Sequence, residues 1–261
     1  MSPALTIDDP GYFDHLADIE ARHWWSLGMW QLASSWLDRA LTGLRGVRVL
    51  DVGCGTGLTV ARLARRDEVS EVVGLDLSLD ALLHARQHHD RLLRGSVLHL
   101  PFARGRFELV TCFDVFQHVP PGADRRAVRE LARVLAPGGI ALVRANGRGW
   151  SREGTAYRLS ELTGLLSSAG LVVRRATYAN CLPSLAQEVR GRLGRRLRFD
   201  PGGPGSRPHP SGGGLSIALP PPWINRMMGS LSATEAFIAG KLRGSLPFGH
   251  STLALAEKPA D

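Results

Sequence analysis

Residues 49–57 read Val49-Leu50-Asp51-Val52-Gly53-Cys54-Gly55-Thr56-Gly57, an apolar run that ends in three alternating glycines. The run predicts a buried strand of a parallel sheet, and the glycines predict a tight turn into the following helix. Because glycine has no Cβ, a ligand can lie directly on the backbone N–H groups of such a turn. A dinucleotide-binding fingerprint would place its third glycine at position 58, where this chain has Leu58.

Two carboxylates accompany this turn. Asp51 lies two residues before the first glycine, where it has no role against a pyrophosphate but suits an ammonium or sulfonium ligand. Asp76 lies near the end of the next predicted strand, at the position where a ribose diol would bind. The acids favour a cationic ligand that carries a ribose. The alternative is a doubly wound domain whose glycines only make a turn.

Short apolar runs alternate with helical patterns along most of the chain, which predicts βαβ units and a mostly parallel sheet. Predicted strands are Val47–Val52, Glu71–Leu77, Ser96–Leu100, Phe107–Phe113, Ile140–Ala145, Leu171–Thr177 and His250–Ala256. Predicted helices cover 11–43, Leu58–Arg66, 79–93, Asp124–Leu135, Ser160–Ala169 and Leu185–Leu197, and a further helix follows the proline run 220–222.

The glycine turn and its two acids together resemble the class I S-adenosylmethionine-dependent methyltransferases, over residues from about 45 to 177. The resemblance implies S-adenosyl-L-methionine as cofactor and S-adenosyl-L-homocysteine as product. In that family the glycine loop and the first acid hold the methionine part, and the acid ending strand two binds both ribose hydroxyls. The implied cofactor-binding residues are Asp51, Gly53, Cys54, Gly55, Gly57, Asp76, Leu77, Ser96, Val97 and Phe113.

One position departs from the family pattern. Where the family usually has an aspartate for the adenine amino group, this chain has Ser96, ahead of a family-like stretch Leu100-Pro101-Phe102. A single hydrogen bond contributes only about 0.5–1.5 kcal/mol net, so we expect cofactor binding to survive.

The expected fold is a Rossmann-like, doubly wound α/β domain with seven strands, the last antiparallel, and helical lid segments. We expect a single methyltransferase domain over 1–261. Its parts are an N-terminal helical lid (1–44), a cofactor-binding core (45–177), a helical insertion over one end of the sheet (178–248, with a mobile linker at 200–214), and a last strand and tail (249–261).

His118 is the candidate general base, because the family often has a Glu-His pair after strand four, beside the transferring methyl group. Gln117 stands where the glutamate is common, and the alternative for His118 is a packing role at a strand end.

Aromatic residues near the N-terminus predict a lid. The stretch Glu20-Ala21-Arg22-His23-Trp24-Trp25 resembles an N-terminal helix of a bacterial small-molecule methyltransferase subgroup, and aromatic faces stabilise a sulfonium. An ordinary aromatic stripe is the alternative. Candidate substrate-binding residues are Tyr12, His15, His23, Trp24, Trp25, Tyr178 and Asn180.

Two further clusters are interpreted as solvated surface. His84, His88 and His89 have only Asp90 nearby to complete a ligand set, so we expect no metal. The arginines between Arg190 and Arg198 could hold a phosphate, an anionic carrier or RNA, but we interpret them as a solvated face that flanks a loop.

Composition limits the function classes. Three separated cysteines exclude a disulfide scaffold, and no apolar run approaches the roughly 20 residues of a membrane span. The acidic start of the chain does not look like a secretory signal, so we expect a cytoplasmic protein. The net charge is +8, but only Lys241 and Lys258 are lysines, and an arginine-, glycine- and alanine-rich composition indicates a high-GC bacterial genome. The charge is therefore weak evidence for nucleic acid, which we do not expect as a partner.

The expected activity is methyl transfer to a small-molecule acceptor, by O- or N-methylation in specialised-metabolite or sugar biosynthesis. An RNA or protein methyltransferase and a repurposed, non-catalytic cofactor-binding protein are the alternatives. A homodimer is left open.

Overall fold

The computed structural model describes residues 11–147, 156–183, 185, 219–241 and 245–260. Seven strands form one sheet in the order β3-β2-β1-β4-β5-β7-β6. The last strand in the chain, β7, is antiparallel to both neighbours, and the other six run in one direction. The predicted Rossmann-like sheet with an antiparallel last strand is confirmed.

The strands are β1 Val47–Val52, β2 Val69–Asp76, β3 Leu92–Arg94, β4 Phe107–Phe113, β5 Leu135–Asn146, β6 Val172–Ala179 and β7 Ser251–Glu257. The helices are α1 Tyr12–Glu20, α2 Trp24–Ala40, α3 Leu58–Leu63, α4 Leu79–Ala85, α5 Asp124–Val134, α6 Leu159–Ser167 and α7 Pro222–Lys241, with a 3-10 turn at Phe116–His118.

Both faces of the sheet are covered, which is why the central strands are apolar on both sides. One face packs against α5 and α6. The other packs against α2, α3, α4 and α7. Parallel strands all end at one edge of such a sheet, and the turns that follow β1, β2 and β4 therefore meet there.

Helices α2 and α7 lie side by side with their backbones in close approach. A Cβ added at Gly28 of α2 would lie 1.7 Å from Ser232 Oγ of α7. One added at Gly240 would lie 2.7 Å from Ser35 Oγ. The Trp36 indole donates a hydrogen bond to the Ala239 carbonyl at 3.3 Å. We expected the insertion at 178–248, which contains α7, to lie over one end of the sheet. Instead α7 packs along a face of the sheet, because it shares a core with α2.

Three predicted elements were wrong in detail. The third strand is Leu92–Arg94, and Ser96–Leu100 instead makes a turn in which Ser96 and His99 form an isolated bridge. The helix predicted at 79–93 ends at Ala85, since the chain must turn back to pair β3 with β2. The helical region 11–43 is two helices, separated where the His23 imidazole caps α2.

The predicted arginine-rich helix Leu185–Leu197 lies, apart from residue 185, outside the described residues, and so does the linker 200–214. Among the helices described, none combines the length and the apolar character that crossing a membrane requires.

Candidate functional site

The glycine turn after β1 is held by β2 and open on its outer side. The backbone N–H groups of Gly53 and Cys54 donate to the Leu75 carbonyl at 2.7 and 3.1 Å. Gly53 and Gly57 have φ values of +73° and +88°, and a Cβ at Gly57 would meet the Ala85 backbone at 2.8 Å. A Cβ at Gly55 would meet nothing within 4 Å. The turn therefore requires glycine for its shape and leaves its surface accessible to a ligand.

Asp76, the last residue of β2, is fixed beside this turn. Its Oδ2 accepts the Gly55 N–H at 2.9 Å, and its Oδ1 accepts the Ser78 N–H at 2.9 Å. Burial raises the pKa of the carboxyl group, although these N–H groups oppose the shift. A carboxylate can accept about four hydrogen bonds, so Asp76 keeps capacity for a diol.

Asp51 is a buried carboxylate with one unsatisfied oxygen. Its side chain is in β1 beside β4, where Oδ1 accepts the Thr111 hydroxyl at 2.6 Å. The other oxygen, Oδ2, is buried and has no hydrogen-bond partner. Burial, reinforced by the Asp76 charge, raises the pKa of Asp51 to about 7. A buried acceptor without a donor is costly, and a cationic donor from a ligand would relieve that cost.

The N-terminal helix α1 spans the site. The Thr56 hydroxyl of the glycine turn donates to Glu20 Oε1 at the end of α1. On the same helix, Asp14 Oδ1 lies 3.0 Å from His84 Nε2 of α4. Burial raises the pKa of Tyr12, and the nearby Asp114 and Glu20 charges raise it further. Helix α1 thus forms a cover over the glycine turn.

The end of β4 presents a second set of side chains. Phe113 is paired in register with Arg144 of β5, and Asp114 follows with φ +57°. Arg144 forms a two-point ion pair with Asp114, Nε at 3.1 Å and Nη2 at 2.5 Å from Oδ2. Its guanidinium carbon lies 4.8 Å from the ring centroid of Phe113 and 4.8 Å from that of Trp25 in α2.

His118 ends the 3-10 turn that follows β4, and its side chain is exposed at the same edge of the sheet. Its charge acts on Asp76, lowering the pKa of that carboxyl group. The structure therefore places the predicted base at the rim that carries the glycine turn and Asp76.

Comparison with known proteins identifies a domain. Residues 49–139 match the model of a methyltransferase domain. This stretch is therefore a domain of the class I S-adenosylmethionine-dependent methyltransferase type. Ubiquinone biosynthesis O-methyltransferase of Escherichia coli O6:H1 is 31% identical over 148 residues, which cover 50% of this chain and 60% of that protein. The chain thus matches less than two thirds of that relative's length.

Solved structures share the fold. A chain in the complex between the Haloferax volcanii Trm112 methyltransferase activator and a methyltransferase has a TM-score of 0.58 at 20% identity, covering 98% of this chain and 99% of that one. A sarcosine dimethylglycine methyltransferase structure from Galdieria sulphuraria has a TM-score of 0.54 at 18% identity, covering 89% and 85%. At these identities the likeness shows the methyltransferase fold alone.

The residues of this site fit S-adenosylmethionine, the cofactor that the matched domain implies. The open face at Gly55, the spare acceptors of Asp76 and the unsatisfied Asp51 Oδ2 suit a ligand with a ribose and an ammonium group. Leu77 is exposed beside them. Val97 is buried, and the Ser96 hydroxyl accepts the Leu98 N–H at 3.2 Å, within a local turn.

The Cys54 side chain points from the glycine turn into the core, toward Gly74 of β2, and not to the surface of the turn. Its sulfur would be 3.1 Å from a Cβ at Gly74, and burial raises the pKa of the thiol far above its ordinary range. Cys54 is thus a packing residue, which restricts any contact with the cofactor to its backbone.

The candidate substrate residues occupy different surroundings. His15 is exposed on α1, while His23 accepts the Trp25 N–H at 3.2 Å and Trp24 packs in the core. The Tyr178 hydroxyl accepts the Leu159 N–H at 3.0 Å, and the buried Asn180 amide lies against Met29 and Ser251. Tyr12 and Trp25 lie beside the cleft between α1 and the ends of β1, β2 and β4, Tyr12 near Asp114 and Trp25 against Arg144. Contact of any of these with a substrate stays a prediction.

Three polar residues of the site were absent from the sequence-based candidates: Glu20, Asp114 and Arg144. Two of them had a signal in the sequence. Asp114 is an acid directly after strand four, and Arg144 is an arginine inside the otherwise apolar strand five. In the described part of the chain, no three histidines, cysteines or acids are grouped so as to hold a metal.

Proposed function

We propose that this protein transfers a methyl group from S-adenosylmethionine to a hydroxyl group of a small molecule in specialised-metabolite or sugar biosynthesis; transfer to an amine is a variant of the same chemistry. The observation that carries the proposal is the meeting of Gly55, Asp76 and the unsatisfied Asp51 Oδ2 under α1. The relatives named ubiquinone biosynthesis O-methyltransferase favour a hydroxyl acceptor.

The chain's own residues would bind and orient the two reactants. The cofactor, when bound, supplies a methyl group that is already electrophilic. Asp76 would take the ribose hydroxyls, and Asp51 would take the ammonium group. Four acids surround the cleft (Glu20, Asp51, Asp76 and Asp114), and those that are ionised would stabilise a sulfonium. Helix α1 would exclude water and hold acceptor and methyl in line.

His118 would act on the acceptor's proton. Its imidazole is at the rim after β4, where a neutral ring nitrogen can accept a proton from a hydroxyl as the oxygen attacks. Such a base is needed for a hydroxyl and dispensable for an unprotonated amine.

We infer that the protein acts in the cytoplasm on a diffusible acceptor. The net charge of +8 is the feature in favour of an RNA or protein acceptor, and the arginine-rich composition accounts for it as well. A third alternative, a cofactor-binding protein without transfer activity, is favoured only by Ser96 at the usual acidic position.

A product assay separates these functions. Release of S-adenosylhomocysteine is measured with panels of phenols, sugars, amines and total RNA, for the wild type and for Asp76→Ala. We expect release with hydroxyl compounds, none with RNA at physiological salt, and none from the variant. Release with RNA alone would contradict the proposal, and so would a failure of every acceptor tested to give release.

A further inference from the structure

Arg144 is a charged residue inside a strand that is otherwise apolar at this depth. Val143 and Ala145 flank it and are fully buried. Its own side chain is only 11% exposed and contacts the Trp25 and Phe113 rings. Burying an arginine that deeply is costly unless its donors are used.

The ion pair with Asp114 uses only part of the guanidinium. Asp114 receives hydrogen bonds from Nε and Nη2, one edge of the planar group. The remaining nitrogen, Nη1, makes no hydrogen bond to a described residue. A guanidinium has five N–H donors, so a second edge, Nη1 with the other Nη2 hydrogen, is available for another two-point acceptor.

Arg144 faces the same cleft as the unsatisfied oxygen of Asp51. Asp51 pairs in register with Thr111, and Phe113, two residues further along β4, pairs with Arg144. Side chains two residues apart on a strand point to the same face of the sheet, as do those of paired residues on neighbouring parallel strands. Asp51 and Arg144 therefore lie on the same face, on strands that β4 separates by about 10 Å. The positive charge of Arg144 lowers the pKa of the Asp51 carboxyl group.

A free acceptor and a free cationic donor therefore border one cleft. We propose that Arg144 is an anion-binding residue that takes a ligand carboxylate on its Nη1 edge, with Asp114 and the two rings fixing the guanidinium plane. The carboxylate belongs either to the methionine part of the cofactor or to the methyl acceptor. This inference rests on the proposed function, which identifies the cleft as the binding site of the cofactor and the methyl acceptor.

The first experiment addresses the cofactor's carboxylate. Calorimetry compares S-adenosylhomocysteine with S-adenosyl-3-thiopropylamine, the same molecule without its carboxylate, on the wild type, Arg144→Gln and Arg144→Lys. The matched control is Arg174→Gln, which removes a surface arginine paired with Glu257. If the cofactor supplies the carboxylate, the wild type and the control prefer S-adenosylhomocysteine by roughly tenfold or more, and both Arg144 variants lose most of that preference.

The second experiment addresses the acceptor's carboxylate. Benzoate and benzamide, which match in shape and differ in charge, are titrated into the same four proteins with and without S-adenosylhomocysteine and followed by ligand-observed NMR. Saturable benzoate binding that benzamide lacks, and that both Arg144 variants lose, would identify the acceptor as the source.

Either pattern supports the proposal. It is overturned if the variants change neither the S-adenosylhomocysteine preference nor benzoate binding. Retained binding of S-adenosyl-3-thiopropylamine shows that the variants are folded. Failure of every adenosyl compound to bind the wild type contradicts the proposed function instead, and benzoate without cofactor still reports on Arg144.

Discussion

Glu20, at the end of α1, accepts a hydrogen bond from the hydroxyl of Thr56, in the middle of the glycine turn. The contact joins residues 36 positions apart and ties the cover helix to the backbone that would hold the cofactor. Thr56 is buried and Glu20 is half-buried, so water competes weakly for the bond.

Thr56→Val should therefore loosen α1. A buried side-chain hydrogen bond contributes about 1 kcal/mol, so we expect S-adenosylhomocysteine to dissociate roughly three to ten times faster, as measured by stopped-flow fluorescence. Thr163→Val, which removes a hydroxyl that donates within α6 to the Ser160 carbonyl, is the control. Equal dissociation rates in the two variants would show that the tie does not hold the cover closed.

The acidity of Asp51 predicts a pH-dependent affinity. Burial holds its pKa at about 7 in the free protein, and a bound ammonium group would lower it, so binding releases a proton. Affinity for S-adenosylhomocysteine should rise as pH increases from 5.5 to 7.5 and level off above that. Asp51→Asn should bind more weakly and show no such rise. Calorimetry in buffers of different ionisation enthalpy measures the proton release directly, and a flat wild-type profile would remove Asp51 from the site.

The close approach of α2 and α7 predicts opposite effects for two glycine-to-alanine changes. Gly28→Ala would force a methyl group into Ser232, and we expect a loss of about 1–3 kcal/mol in the free energy of unfolding. Gly164→Ala on α6 meets nothing within 4 Å and should stabilise the protein by about 0.5–1 kcal/mol. Urea unfolding compares the two, and equal effects would mean that α2 and α7 are less tightly packed.

His118→Ala tests the predicted base. With a hydroxyl acceptor, we expect turnover to fall by roughly a hundredfold or more while the affinity for S-adenosylhomocysteine stays the same. His88→Ala, an exposed histidine after α4, should leave both unchanged. An unchanged kcat in His118→Ala would show that this side chain is not the base.

Local features of the sequence were sufficient to predict the strand-to-turn unit at 47–57 and the position of Asp76, because spacing and residue type determine both. The third strand was misplaced because Val97, Leu98 and Leu100 look more strand-like than Leu92–Arg94. That short edge strand depends on hydrogen bonds from β2, which no local pattern reveals. The pairs Glu20–Thr56 and Arg144–Asp114 join distant segments and needed the fold itself.

The most direct test of the account is calorimetric titration of S-adenosylmethionine and S-adenosylhomocysteine into the wild type, Asp76→Ala and Asp67→Ala. Asp67 is an exposed acid ahead of β2, at the opposite edge of the sheet, and serves as the matched control. The account predicts micromolar binding of both compounds by the wild type and Asp67→Ala, and loss of binding in Asp76→Ala. Absence of binding in the wild type, or equal binding in all three proteins, would contradict it.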